Sequence, residues 1–341
     1  MGHGAESARQ RALPLGSGRS RAQGCAGRYH DCMTADARPR RRRFGRRLAR
    51  GFLVLVALLG VVYLVALWLA EPRADHPYYT ELLGPGPHVH AHQGGDHLWP
   101  GNTMLAFEGA HALGVDVLEL DVHLSADGEV VVIHDATVDR TSDGSGAVAD
   151  LTLAELRELD FGYRWRPPGG ADVDFPYRGR GLTIPTLREV LETFPDTAVN
   201  IELKPADTRL VAITCDLIRE LGRERSVLVA SFRDRNLREF RQRCPEVATS
   251  AGNDEAATFV VMNMLYLANL YTPSAEAFQV PVQRSGIEVV TPRLVSSVAG
   301  RNVHLDVWTI NSEAEMRRLI DMGVGGLITD RPDLALQVLG R

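Results

Sequence analysis

The sequence predicts a TIM-type (β/α)8 barrel preceded by a single N-terminal transmembrane helix. Three observations predict it. Eight short apolar runs alternate with helix-period segments along 71–341, and eight strands with intervening helices over roughly 250 residues are the count and size of such a barrel. The first run ends in His92-Gln93-Gly94-Gly95, which lacks the GxGxxG turn of the doubly wound alternative. Residues 51–70, GFLVLVALLGVVYLVALWLA, carry no charged side chain, and twenty helical residues at about 1.5 Å each reach about 30 Å, the thickness of a bilayer's hydrocarbon core.

Residues 1–50 form a basic tail, expected to be disordered. It holds 13 Arg against Glu6, Asp31 and Asp36, a local charge of +10 within a chain of net charge -5. The rest therefore carries -15, and an acidic body excludes broad nucleic-acid binding as the main task. At 45% hydrophobic and 24% charged residues the chain is neither disordered throughout nor fibrous. Eight arginines between Arg38 and Arg50 precede the apolar run. The positive-inside rule then places the N-terminus in the cytoplasm and residues 71–341 outside the cell membrane. A signal peptide cleaved after Ala70 would put Trp68 where a small residue is wanted, so an uncleaved anchor is expected. Residues 71–87 read as a linker, and 88–341 as the barrel.

The strand candidates are 88–92, 117–122, 130–134, 198–203, 227–231, 247–251, 306–310 and 326–329. Helical patterns cover 103–113, 153–159, 187–194, 209–221, 235–243, 313–322 and 332–338. Thr152-x-x-Glu155 and Thr186-x-x-Glu189 carry the pattern of a capping box, in which hydroxyl and carboxylate satisfy free amides at a helix start. Cys215 falls in one predicted helix and Cys244 at the end of another. An oxidising compartment permits a bridge between them, and spacing leaves open whether they meet.

Polar residues interrupt the strands where chemistry is expected. Glu119 and Asp121 are two apart, so both leave one face of a strand, and a strand's C-terminal end opens into the mouth of a barrel. The run AVNIELK adds Glu202 and, two residues later, Lys204. Three converging carboxylates are costly without a counter-charge, and their hard oxygens suit Mg²⁺ or Ca²⁺; the alternative is pairing with arginines at the rim. His92 and His134 end the first and third strand candidates and read as an acid and base pair. Asp135 either orients His134 or caps the next turn. His90 and His123 are expected to point away from His92 and Asp121. Lys204 is the only lysine in the chain; a compact ammonium there suits a phosphate oxygen, or a salt bridge to Glu202 or Glu119.

Seven motifs in order, 92–107 (HQGGDHLWPGNTMLAF), 118–122 (LELDV), 127–135 (DGEVVVIHD), Arg140-Thr141, 201–204 (IELK), 308–311 (WTIN) and 327–332 (LITDRP), resemble the glycerophosphodiester phosphodiesterases. The likeness runs from about His88 to Leu339. It implies metal-dependent hydrolysis of a glycerol phosphodiester to sn-glycerol 3-phosphate and an alcohol. It implies metal on Glu119, Asp121 and Glu202, acid/base work by His92 and His134, phosphate at Lys204 and glycerol packed on Trp308. Two departures stand out: Gln93 replaces the arginine of the family's HRG, and Gly101 the glutamate of its PENT. Their joint loss implies that an Arg–Glu interaction is absent, with Gln93 still able to donate to substrate. Asn102 either contacts the site or caps the next helix.

Residues 257–271, ATFVVMNMLYLANLY, are largely apolar but too few for a comfortable span. They read as an interfacial or re-entrant helix or as an ordinary barrel helix, and with 277–282 they also resemble membrane-bound lysophospholipase D members. The expected substrate is thus a glycerophosphodiester or a lysophospholipid, with membrane contact through 51–70 and 257–271 and no nucleic acid. A phospholipase C or sphingomyelinase-D-like enzyme and a non-enzymatic binding barrel are the alternatives.

Overall fold

The computed structural model describes residues 39–169 and 175–341, so the tail's 1–38 lie outside the described residues. The chain divides into two units, Met1–Gly60 and Val61–Arg341. A long helix, α1, runs Pro39–Leu69. It starts earlier than the expected residue 51, which corrects the expectation of disorder over 39–50. Arginine, leucine and alanine are among the better helix formers, so the basic flank extends the apolar helix instead of fraying. An 18-residue stretch within Phe44–Leu69 has a mean hydropathy of 2.9, and the helix is long and apolar enough to cross a membrane.

The second unit is built on eleven strands among the described residues. Eight are parallel: β1 (His88–Ala91), β2 (Val117–Leu124), β4 (Ala198–Leu203), β5 (Val227–Ala230), β6 (Ala248–Thr249), β7 (Ala277–Pro281), β10 (His304–Trp308) and β11 (Gly326–Thr329). Their order is β6-β5-β4-β2-β1-β11-β10-β7. A parallel bridge from Ser250 to Ala277 joins the two ends, with the Ala251 amide donating to Ala277 O at 2.7 Å. The result is a nearly closed eight-stranded barrel.

One strand assignment changes. Residues 130–134 were expected in the barrel wall, but β3 (Val130–Val132) pairs antiparallel with β2 and lies off the barrel path. The tight Ser125–Glu129 turn folds it back onto its neighbour, with the Ser125 amide donating to Glu129 O. The eighth barrel strand is β7, whose sequence AFQVP enters the sequence reading only through its resemblance, together with 257–271, to membrane-bound members. Short buried parallel strands lack alternation, so an apolar run of this length does not announce its role. The remaining strands, β8 (Gln283–Arg284) and β9 (Ile287–Glu288), form a small hairpin after β7.

Helices surround the barrel: α2 (Met104–Leu113), α3 (Leu153–Arg157), α4 (Leu187–Thr193), α5 (Thr208–Glu220), α6 (Asp234–Arg243), α7 (Asn253–Met264), α8 (Pro292–Ala299), α9 (Glu313–Met322) and α10 (Pro332–Val338). Both expected capping boxes form, Thr152 with Glu155 and Thr186 with Glu189. Cys215 of α5 and Cys244 after α6 meet in a disulfide, with Cα atoms 6.1 Å apart. The apolar 257–271 segment is a barrel helix and its exit turn. Phe259 is buried and stacks on Phe278 at 4.8 Å, while Val261, Met264, Leu265 and Tyr266 stay exposed.

The residues expected to form a linker pack into the barrel instead. Residues Tyr78–Leu83 form a single wide helical turn, and Tyr78 and Tyr79 are buried against Val117, Ala198, Leu228, Ala248 and Ala277. Barrel interiors are normally filled by bulky branched side chains. Here several strands contribute alanine, and the two tyrosines occupy the space from the end where strands begin. Tyr79 stacks on His304, the first residue of β10, at 3.4 Å.

Candidate active site

Strand periodicity brings the site together. On β2, Val117, Glu119, Asp121 and His123 occupy alternate positions and share the barrel-facing side, as do Ala198, Asn200 and Glu202 on β4. The same rule corrects the expectation for His90 and His123, because residues two apart face the same way. His90 lies below His92 inside the barrel, fully buried with Nε2 3.8 Å from Asp306 Oδ1. His123 Nε2 lies 3.2 Å from the carbonyl oxygen of His134.

Glu119, Asp121 and Glu202 each bring a carboxylate oxygen within 4.8 Å of the others. Lys204 joins them, with Nζ 2.8 Å from both Asp121 Oδ1 and Glu202 Oε2. Of the salt bridges considered for Lys204, the one to Glu202 forms, and its second partner is Asp121. Glu119 accepts the backbone N–H of Gln93 at 2.9 Å. Burial pushes the Glu119 carboxyl up to about 8, and the neighbouring Asp121 adds to the rise. Burial also raises Glu202, with Lys204 opposing. For Asp121 burial acts the same way but is outweighed by Lys204, His134 and His92, which hold it below the usual carboxylate range. Glu119 and Asp121 are buried and Glu202 is partly so, and the converging all-oxygen donor set fits a hard divalent cation.

The two histidines sit in matching settings. His92 Nδ1 is 2.6 Å from Asp330 Oδ1, and His134 Nδ1 is 2.7 Å from Asp135 Oδ1. Asp135 therefore orients His134, and Arg140 Nε donates to its other oxygen at 2.5 Å. Burial opposes charge on His92, yet Glu119, Asp330 and Asp121 together raise it to about 9. In each ring a carboxylate fixes Nδ1 as the donor and leaves Nε2 for proton exchange.

Three supporting residues escaped the sequence reading or were left undecided by it. Asp330 lies inside the LITDRP motif but received no role. Asn311, at the end of WTIN, donates from Nδ2 to Asp330 Oδ2 at 2.6 Å and accepts the Asp330 amide at 2.9 Å. Asn102 turns out to contact the site: it donates to Asp121 Oδ2 at 2.9 Å, while Thr103 caps α2. The motifs held all three; only the fold shows what they hold.

The cavity above these groups has a volume of about 610 Å³ and is lined by His92, Glu119, His134, Glu202, Lys204 and Trp308 among others. Trp308 meets Phe232 edge-to-face at 5.6 Å. Gln93 does not line it. Its side chain is buried with Oε1 beside Gly101, where an added Cβ would come within 2.9 Å. The two departures from the family motif are therefore neighbours, and Gln93 serves the acidic cluster through its backbone amide.

A parallel barrel with acids and histidines at its C-terminal mouth defines a phosphoric diester hydrolase when set beside known proteins. Residues 92–334 match the glycerophosphoryl diester phosphodiesterase family, and the chain belongs to it. A glycerophosphodiester phosphodiesterase of Caldanaerobacter subterraneus is 34% identical over 258 residues, covering 74% of this chain and 97% of the relative. The mouse lysophospholipase D GDPD1 is 27% identical, covering 71% of this chain and 82% of that protein. Among solved structures, an Oleispira antarctica phosphodiesterase in complex with the product sn-glycerol-3-phosphate is 25% identical with a TM-score of 0.63, covering 78% of this chain and all of the other. The enzyme is a glycerophosphodiester phosphodiesterase.

Proposed function

We propose that the enzyme hydrolyses glycerophosphodiesters to sn-glycerol 3-phosphate and an alcohol in a metal-dependent reaction with histidine acid/base catalysis. The observation that carries this reading is the pair of imidazoles, each held at Nδ1 by its own carboxylate, beside three converging acids. Glu119, Asp121 and Glu202 would hold Mg²⁺ or Ca²⁺. Bound there, the ion neutralises the acids and acts as a Lewis acid toward a phosphoryl oxygen.

The chain's own groups do the rest. Lys204 presents a compact ammonium to phosphate and stabilises developing negative charge. One histidine takes a proton at Nε2 from the attacking oxygen, and the other delivers one to the departing alkoxide as the phosphorus–oxygen bond breaks. Trp308, with Phe232 against its edge, offers the glycerol an apolar wall. Asp330 and Asp135 keep both rings in the required tautomer. Chelation should abolish turnover of glycerophosphocholine and added Mg²⁺ or Ca²⁺ restore it, with free choline and glycerol 3-phosphate as products by mass. Phosphocholine as product would instead indicate phospholipase C chemistry, and undiminished turnover in chelator would remove the metal.

The protein is read as a single-pass membrane protein anchored by 51–70, with its catalytic unit outside. The arginine-rich flank before residue 51 and the Cys215–Cys244 disulfide, which persists in oxidising compartments, both support this topology. Lysophospholipase D activity, the named function of the mouse relative, gains less support. The exposed apolar residues of α7 begin beyond Ala256, its last residue on the cavity, and run away from it toward Tyr266.

A further inference from the structure

We infer that the end of the barrel where its strands begin rests on the bilayer, so that the active-site mouth opens away from the membrane toward water. The inference rests on reading residues 51–70 as a membrane anchor.

The first observation is a short tether. Arg73 follows Leu69, the last residue of α1, by four positions, at most about 14 Å of extended chain. Arg73 is pinned to the barrel. Its guanidinium pairs with the buried carboxylate of Glu276, its amide donates to Arg301 O at 2.9 Å, and its carbonyl accepts Asn302 Nδ2 at 2.8 Å. Asn302 also donates to Asp75 at 2.9 Å. Glu276 directly precedes β7, and 301–302 lead into β10. All these contacts therefore lie at the end where strands begin, and the buried Tyr78 and Tyr79 lock the following turn into that end.

The second observation is independent. Helix α7 starts at the mouth, where Gly252, Asn253 and Ala256 line the cavity. Its twelve residues descend about 18 Å at 1.5 Å per residue. Val261, Met264, Leu265 and Tyr266 are exposed at or just past its far end, Tyr266 by 72%. Arg301 Nη1 donates to Asn269 O at 3.2 Å, which ties this exit turn to the same end as Arg73. A cluster of apolar side chains with an aromatic residue suits the interface of a bilayer. On the mouth, the hairpin residue Ile287, exposed by 51%, and Phe232 of the cavity wall, exposed by 44%, are the rival contacts.

The consequence is chemical. The six residues of β4 span about 20 Å at 3.3 Å each, so the metal-binding acids stand well above the headgroup plane. A lysophospholipid held in that membrane cannot bring its phosphate there without leaving the bilayer. The substrate the arrangement favours is a water-soluble glycerophosphodiester, and the reaction that must supply it removes both acyl chains from a glycerophospholipid.

The test uses the full chain with Cys25→Ser and Cys32→Ser, in vesicles of phosphatidylcholine and phosphatidylglycerol doped with headgroup-nitroxide lipid. An environment-sensitive probe is placed on Leu265→Cys or on Ile287→Cys, and retained hydrolysis of glycerophosphocholine shows that each variant is folded. Emission from position 265 should be quenched at least threefold more than from 287. Equal or stronger quenching at 287, or quenching at neither, overturns the inference. Co-flotation with the vesicles tests the anchor separately; a chain that does not float removes the anchor and the inference with it.

Discussion

Replacing Asp330 with asparagine probes the least obvious part of the site. Asp330 accepts from two donors, His92 Nδ1 at 2.6 Å and Asn311 Nδ2 at 2.6 Å. The amide of Asn311 cannot turn to compensate, because its oxygen already accepts the Asp330 backbone N–H at 2.9 Å and Thr329 Oγ1 at 3.1 Å. An asparagine at 330 has one acceptor for these two donors. If it serves His92, the charge-assisted bond becomes a neutral one, a loss of about 1–2 kcal/mol or roughly 5–30-fold. If it serves Asn311, its NH2 faces His92 and imposes the wrong tautomer, which in a serine-protease triad costs about 10⁴-fold. Asp330→Asn should therefore lower kcat by about 10²–10³-fold, between these limits, and leave KM within about threefold. The decisive assay is a double-mutant cycle. In a His92→Ala background the Asp330→Asn change should cost almost nothing. An equal penalty in both backgrounds would refute the claim that Asp330 acts through His92.

Three further outcomes are expected. His92→Ala and His134→Ala should each reduce kcat by about 10²–10⁴-fold, and near-wild-type turnover in either would remove that ring from the chemistry. Replacing Cys215 and Cys244 with serine opens a loop of sequence separation 29, which by loop entropy should destabilise the barrel by about 3–4 kcal/mol in denaturant titrations. Burial opposes ionisation of Glu255, but bonds from Arg241 at 2.7 and 2.9 Å outweigh it and hold its carboxyl below the usual value. Its stabilising effect is thus present above the ordinary carboxyl range and lost as pH falls through the depressed folded value. The melting-temperature gap between wild type and Glu255→Gln should accordingly narrow from pH 7 to pH 3.

The barrel was legible because its strands and helices leave different periods, and the acidic pair Glu119 and Asp121 because two-residue spacing on a strand fixes a shared face. Seven of the eight barrel strands overlap the expected runs. The eighth does not, since AFQVP is a short run with a polar Gln279 and a terminal Pro281 and carries little strand signal of its own. The run 130–134 misled for the converse reason: β propensity is the same whether a strand closes a barrel or folds back as one arm of a hairpin.

Sequence alone determined the membrane-length apolar helix, the acidic body that follows it and the residue types of the candidate site, because composition and short-range spacing carry them. The tertiary structure decided what depends on residues far apart along the chain. It set Asp330 against His92 across 238 positions, Arg73 against Glu276 across 203, and two tyrosines of an apparent linker inside the barrel. Local pattern reports which face a side chain leaves from, whereas the partner it meets is chosen by closure of the sheet.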